Sequence, residues 1–254
     1  MEIAIITGAS SGIGRSFAKQ LHQSGEVDEF WFIARGKTAL DATASELGIN
    51  AKIITADLST PAGLASIKDA LAQYTPTVQY LIHSAGRGDF GAFDELTEEQ
   101  ISTTIDLNVK ATVLLTKMTV PYMPHGGRII TLGSGSCFTP LPYFNTYSSS
   151  KVFVLHYTKS LNFELEKYGI RATCFCPGWV DTPLLDGLMN TPNRHPKQFK
   201  PKLNVDMVVK KCLAASKKGK TMCVVNWYTK LQHVLFKLVP DRLLTKTWLN
   251  MLTE

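Results

Sequence analysis

The segment Thr7-Gly8-Ala9-Ser10-Ser11-Gly12-Ile13-Gly14 sits between an apolar run, Glu2-Ile3-Ala4-Ile5-Ile6, and the stretch Ser16-Phe17-Ala18-Lys19-Gln20-Leu21. A short Ile-rich run reads as a strand buried on both faces. Phe17, Ala18 and Leu21 recur with helical spacing. Strand, glycine turn and helix in that order form a dinucleotide cradle: glycines let the backbone turn tightly and approach a pyrophosphate, and the helix offers its first N–H groups. The glycines at 8, 12 and 14 differ in spacing from the common G-x-G-x-x-G, and no Gly-Lys-Ser/Thr ending follows as in a P-loop.

A second constellation is Tyr147-Ser148-Ser149-Ser150-Lys151. Residues i and i+4 of a helix share a face, so this spacing predicts a phenol held beside an ammonium. A phenol titrates near pH 10, and a neighbouring cation favours its ionised form, which is expected to bring Tyr147 toward the range useful for general acid–base catalysis. Taken alone, the pair equally describes two side chains on an exposed helical face.

The rest of the chain alternates apolar runs with helical patterns. Strands are expected near 2–6, 30–34, 51–55, 79–82, 128–132, 170–175 and 221–225, and the longest helices near 97–119 and 144–167. With 254 residues and no Ser/Gly/Pro-rich linker, this predicts an α/β, single-domain, Rossmann-type doubly wound parallel sheet over 1–254, with the ligand at the carboxyl ends of the strands. The opening residues enter the first strand directly and no apolar run reaches membrane-spanning length, so a cytoplasmic protein is expected. Five cysteines, with Cys174 and Cys176 on one side of a strand, read as reduced thiols, and Cys-x-Cys without a second cluster predicts no metal site.

Together these motifs resemble the classical short-chain dehydrogenase/reductase family, from Ile3 to about Val225. Its glycine motif matches at Thr7, Gly8, Gly12 and Gly14, and its Tyr-x-x-x-Lys motif at Tyr147 and Lys151. Its serine, thirteen residues before the tyrosine, falls on Ser134, leaving Ser136 as bystander; its asparagine matches Asn108, and its Pro-Gly-x-Val-x-Thr pattern Pro177, Gly178, Val180 and Thr182. Asn-Asn-Ala-Gly reads His83-Ser84-Ala85-Gly86 here, with His83 taken as filling the space of an asparagine. The resemblance implies a catalytic set of Asn108, Ser134, Tyr147 and Lys151. It also implies a cofactor site of Gly8, Ser10, Ser11, Gly12, Ile13, Gly14, Arg35, Asp57, Leu58, Ala85, Gly86, Tyr147, Lys151, Pro177, Gly178, Val180 and Thr182. In that scheme Tyr147 passes a proton to the oxygen of a carbonyl, Ser134 holds that oxygen, Lys151 tunes the tyrosine and binds the nicotinamide ribose, and Asn108 holds a water.

Cofactor choice follows from charge. The second strand ends in Ala34-Arg35, where an acidic residue would bind a ribose 2′-hydroxyl; an arginine fork suits a 2′-phosphate, so NADP(H) is expected over NAD(H). The expected activity is interconversion of a ketone or aldehyde and an alcohol. A 3-ketoacyl-thioester reductase and a non-catalytic dinucleotide-binding regulator are the alternatives.

Net charge is +6, with lysines crowded between Lys197 and Lys220. These read as solvated surface, and a nucleic-acid module is excluded because no aromatic–basic recognition motif accompanies them. In the family the two long helices pair across subunits, implying a homodimer or homotetramer. The C-terminal extension, 227–254, predicts two amphipathic helices: Trp227, Leu231, Val234, Leu235, Leu238 and Val239, then, beyond Pro240, Leu243, Leu244, Trp248, Leu249 and Leu252. Lys230, Lys237, Arg242 and Lys246 are too scattered for a strongly basic face, so both faces are expected to pack as a lid or subunit contact rather than on a membrane surface.

Overall fold

Seven strands, β1 (Glu2–Thr7), β2 (Glu29–Ala34), β3 (Ala51–Thr55), β4 (Thr77–His83), β5 (Arg128–Leu132), β6 (Arg171–Cys176) and β7 (Met222–Val224), form one parallel sheet in the order β3-β2-β1-β4-β5-β6-β7 in the computed structural model. It describes residues 1–236 and 238–253, so Lys237 and Glu254 lie outside the described residues. The chain starts in the middle of the sheet, builds outward through β2 and β3, then returns to β1 and builds the other way. That reversal leaves a crevice at the carboxyl ends of β1 and β4, where a doubly wound sheet takes its ligand.

The strands read as continuous apolar runs because both faces are covered. On one face α1 (Gly12–Ser24) buries Phe17, Ala18 and Leu21 with Phe32 and Phe175; α2 (Lys37–Leu47) adds Leu40. On the other, α3 (Pro61–Tyr74) buries Leu64, Ile67 and Leu71 against Ile5, Trp31 and Leu81. The helix predicted over 97–119 is α4 (Glu98–Ile105) and α5 (Ala111–Thr119), joined by a π-turn at Asp106–Lys110 that carries Asn108. A capping box of Thr97 and Gln100 starts it. Helix α6 (Asn145–Leu165) carries Tyr147 and Lys151, and α7 (Pro183–Met189) and α8 (Val205–Lys217) follow β6.

The tail forms two helices, α9 (Trp227–Leu235) and α10 (Asp241–Asn250), separated at Pro240 as the pattern predicted. Their packing differs from expectation. Helix α10 is seated: Trp248 is buried, donates its indole N–H to the Pro142 carbonyl at 2.8 Å, and joins Leu252 in a cluster with Phe90, Phe144 and Phe199. Helix α9 is held by Thr229 and by His233 against Phe138, at 4.3 Å between rings, but Trp227 is 75% exposed and Leu231, Val234 and Leu235 face outward. The expected burial therefore holds for Trp248 and Leu252 at the end of α10, whereas Leu243 and Leu249 are exposed, and within the subunit it does not hold for the apolar face of α9. An apolar stripe records that a helix could be buried, not that a neighbour lies on that side.

Candidate active site

The glycine turn is shaped by close approach. Gly8 has φ +65°, and a Cβ on it would lie 2.9 Å from the Ala85 nitrogen, so the turn after β1 lies directly on the end of β4. Thr7 fastens the same junction, its Oγ1 accepting the N–H groups of Ser84 and Ala85 at 3.0 Å. Gly14 serves packing, because a Cβ there would meet the Gly8 carbonyl oxygen at 2.2 Å. Ser11 caps α1, whose first N–H groups thereby face a cavity of about 600 Å³.

That cavity is lined by Gly8, Ser10, Ser11, Gly12 and Ile13 at the turn, by Arg35, Asp57 and Leu58 beyond β2 and β3, by Ala85 and Gly86 after β4, and by Thr182. Backbone N–H groups at a helix start, with an arginine at the end of β2, are the donor set a dinucleotide needs. Arg15 is turned away into an ion pair with Glu46. Hydrogen bonds from Ser59 hold the Asp57 carboxyl below the usual carboxylate range, with the Arg35 charge adding to this. Pro177, Gly178 and Val180 do not line the cavity: the Pro177 carbonyl accepts from Gly135 N–H at 2.7 Å, Gly178 rests on Thr229, and Val180 bridges to Leu203. They brace the wall instead.

Ser134, Tyr147 and Lys151 do not line the cavity itself but lie behind its Gly86 and Leu132 wall: Lys151 is buried and donates from Nζ to the Leu132 carbonyl at 2.9 Å, and a Cβ on Gly86 would lie 3.3 Å from that Nζ. Ser134, at the cap of a short 3-10 turn (Gly135–Phe138), acts on the Tyr147 hydroxyl to favour its ionised form, and its Oγ accepts the Ser136 N–H at 3.1 Å. The Ser136 hydroxyl is buried without a partner. Ser134, Tyr147 and Lys151 are thus brought together, and Ser136 is the bystander.

One expected effect needs correction. Desolvation of its hydroxyl pushes Tyr147 up to about 12, with the Ser134 side chain opposing this. The Lys151 ammonium, 5.5 Å from the ring centroid and engaged with Leu132, does not bring the phenol down; burial lowers the lysine itself. The Asn108 amide is tied into the surrounding structure. Its Oδ1 accepts from Arg87 N–H at 3.0 Å, and its Nδ2 donates to the Arg87 carbonyl at 2.8 Å and to Ser150 Oγ at 3.0 Å, taking both hydrogens. Asn108 pins the loop after β4 to α6. His83 is a packed strand-end residue: burial lowers it to about 3 and Nε2 meets Thr116 Oγ1 at 2.9 Å.

Sequence reasoning missed the wall around Tyr147. Phe144 stacks on its ring at 4.4 Å, Phe90 stacks on Phe144 at 4.0 Å, and Phe199 meets Phe90 edge-on at 6.3 Å. Gly88 was missed as well, although a Cβ there would stand 2.5 Å from Tyr147 Cδ2. Its only sequence signal was a second glycine two residues after Gly86.

Comparison with known proteins agrees with this geometry. The family model for short chain dehydrogenases matches residues 2–193. An uncharacterised oxidoreductase of Staphylococcus epidermidis is 32% identical over 188 residues, 73% of this chain and 81% of that protein. A putative ketoacyl reductase of Streptomyces coelicolor is 32% identical over 190 residues, 72% of each. Among solved structures, a short-chain dehydrogenase from Sphingobium yanoikuyae in complex with NADPH superposes with a TM-score of 0.78 at 27% identity, covering 95% of this chain and all of that one. A cradle built for a dinucleotide, a serine–tyrosine pair behind its wall and a family match over most of the chain lead to one conclusion: this protein is an oxidoreductase of the short-chain dehydrogenase family.

Proposed function

We propose that the chain interconverts a ketone or aldehyde and an alcohol with NADP(H), using Ser134, Tyr147 and Lys151 with Asn108 as the residue that fixes their surroundings. The observation that carries this reading is the Ser134 side chain acting on the Tyr147 hydroxyl, on the helix whose Lys151 bonds Leu132 in the wall of the dinucleotide cavity. A serine hydroxyl beside a phenol can join it in donating to one oxygen: Ser134 holds the carbonyl oxygen, and Tyr147 gives it a proton as negative charge develops there. The bound dinucleotide supplies or accepts the hydride. Lys151, fixed through Leu132, would hold the nicotinamide ribose, and the first turn of α1 the phosphates. Arg35 beside Asp57, with no acid ahead of it at Ala34, supports NADP(H) over NAD(H).

The buried cluster of Phe90, Phe144, Leu185, Leu188, Phe199 and Trp248 packs around Tyr147 and keeps water from its ring. A second reading, a 3-ketoacyl-thioester reductase, is favoured by a cavity of about 990 Å³ beyond Phe199 lined by Lys197, Lys200 and Lys202, and by the similarity to a putative ketoacyl reductase. Exposed Ile105 and Leu114 on α4 and α5, and Phe153 and Phe163 on α6, support a homodimer or homotetramer through these helices. Among the described residues no helix is long and apolar enough to cross a membrane. Five free thiols fit a reducing compartment, and we place the protein in the cytoplasm.

The test is NADPH consumption with long-chain, steroidal and acyl-thioester ketones, for wild type and Tyr147→Phe. The variant loses turnover and keeps NADPH affinity; activity within a few-fold of wild type refutes the assignment.

A further inference from the structure

Three thiols adjoin Ser134 that the proposed reaction does not use. Cys137 is half-buried in the 3-10 turn, and its Sγ accepts the Ser134 N–H at 3.3 Å. Cys174 and Cys176 end β6 on one side of the strand, both buried, with their sulfurs 3.7 Å apart. Cys137 packs against the buried cluster that holds Cys174 and Cys176. Turn and strand end are tied together by the Gly135–Pro177 hydrogen bond, and the sulfurs of Cys174 and Cys176 pack directly on Gly133, where an added Cβ would lie 2.8 Å from both. The buried Lys151 ammonium lies close enough to interact electrostatically with all three sulfurs.

We propose that Cys137 and Cys176 are a peroxide-sensitive pair whose disulfide switches the active site off. The Cys137 thiolate attacks hydrogen peroxide; the O–O bond breaks, the sulfur is oxidised to a sulfenic acid and one oxygen leaves as water. The Cys176 thiol then attacks that sulfur, the S–O bond breaks and a second water departs. Two thiols and one peroxide have become one disulfide and two waters. Cys137 takes the first step because it is the half-buried member, whereas Cys174 and Cys176 are enclosed. Cys176 resolves it rather than Cys174, which lies two residues away on the same extended strand and already contacts Cys176. Two cysteines at i and i+2 of a strand have Cα atoms about 6.5 Å apart, near the limit for bridging, which disfavours a Cys174–Cys176 disulfide.

The link to turnover runs through Ser134. Cys137 Sγ accepts the Ser134 N–H, so drawing that sulfur into a disulfide removes the acceptor and pulls on the turn that holds Ser134 against Tyr147. This part rests on the reading of Ser134 as the group that holds the carbonyl oxygen. A displacement of about 1 Å at a positioned group costs on the order of 100-fold in rate. The dinucleotide cavity is lined by other residues, so NADPH affinity stays unchanged.

The experiment treats the full-length protein with hydrogen peroxide, removes the oxidant with catalase, and measures intact mass, disulfide-mapped peptides, turnover and NADPH affinity before and after dithiothreitol. The expected result is a loss of about 2 Da per chain, a mapped Cys137–Cys176 peptide and a reversible fall in turnover at constant NADPH affinity. Cys137→Ser keeps its own untreated turnover through the exposure, and Cys176→Ala accumulates a Cys137 sulfenic acid that dimedone traps. No disulfide, a different pairing, or equal inactivation of Cys137→Ser overturns the pair. A mapped disulfide with undiminished turnover overturns the switch. Ser134→Ala, assayed without oxidant, tests the role of Ser134 separately, since mass and mapping do not depend on it.

Discussion

Gly88→Ala adds one methyl group directly against the proposed catalytic phenol. The new Cβ would stand 2.5 Å from Tyr147 Cδ2, 2.9 Å from Cγ and 3.1 Å from Cε2. Carbon atoms rest about 3.5–4.0 Å apart, so ring or loop must retreat by about 1 Å. The backbone does not itself require glycine, because Gly88 is not among the positive-φ positions. The loop is pinned one residue earlier by the paired bonds between Arg87 and Asn108, while the ring stacks on Phe144 and Phe144 on Phe90. Overpacking of this kind costs about 1–3 kcal/mol of stability, and a reacting group displaced by about 1 Å loses on the order of 100-fold in rate. We expect kcat to fall by that factor with NADPH affinity intact, measured by steady-state kinetics and a binding titration. Gly187→Ala, where an added Cβ meets nothing within 4 Å, is the control and should leave kcat unchanged. A Gly88→Ala enzyme within a few-fold of wild type would show that the loop yields and that this contact does not position Tyr147.

Arg35→Ala should erode the preference for NADPH over NADH by about one to two orders of magnitude, the equivalent of one charge-assisted bond of roughly 1.5–3 kcal/mol; equal use of both cofactors by wild type would contradict the proposal. His83, lowered from 6.5 to about 3 by burial, stays neutral in the folded protein while the unfolded chain takes up a proton below pH 6.5. Its contribution to stability is therefore full above pH 6.5 and falls by about 1.4 kcal/mol per pH unit as pH drops toward 3. Urea unfolding of wild type at pH 7 and pH 5 should show a loss of about 2 kcal/mol that His83→Asn lacks, and equal pH slopes for the two proteins would refute the assignment.

What sequence made legible was local or strictly periodic. The strand–glycine–helix unit at residues 2–21 was readable because close backbone approach forbids a side chain at Gly8 and Gly14, and that constraint is written in the glycines themselves. The i, i+4 relation of Tyr147 and Lys151 followed from helix geometry. Their chemistry did not, because the high pKa of Tyr147 comes from desolvation among distant segments, including Phe90 and Gly88. The π-turn at Asn108 escaped notice for a similar reason. It interrupts one predicted helix without any proline or glycine to mark it, and its purpose appears only in bonds to Arg87 and Ser150. Helices α9 and α10 carry the same amphipathic signature, yet only α10 lies over the aromatic wall.

The position of the Tyr147 pKa has a consequence for reaction direction. At about 12, the phenol is protonated throughout the neutral range. It is therefore ready to donate in carbonyl reduction, whereas alcohol oxidation needs the rare phenolate to accept the proton. A cation brought to about 4 Å contributes about 4 kcal/mol at an effective dielectric constant of about 20, which is about three pH units. Even that full contribution leaves the phenol near 9, because about 7 kcal/mol is needed to carry it from 12 to 7. Reduction should accordingly be flat between pH 6 and pH 8. Oxidation should climb close to ten-fold per pH unit across the same interval, as the phenolate fraction does. Initial rates in both directions, at saturating dinucleotide and substrate, test this. An oxidation rate that levels off near pH 7 would mean that the assembled site lowers the phenol by far more than one neighbouring charge can, and that the desolvation argued here is relieved when the site fills.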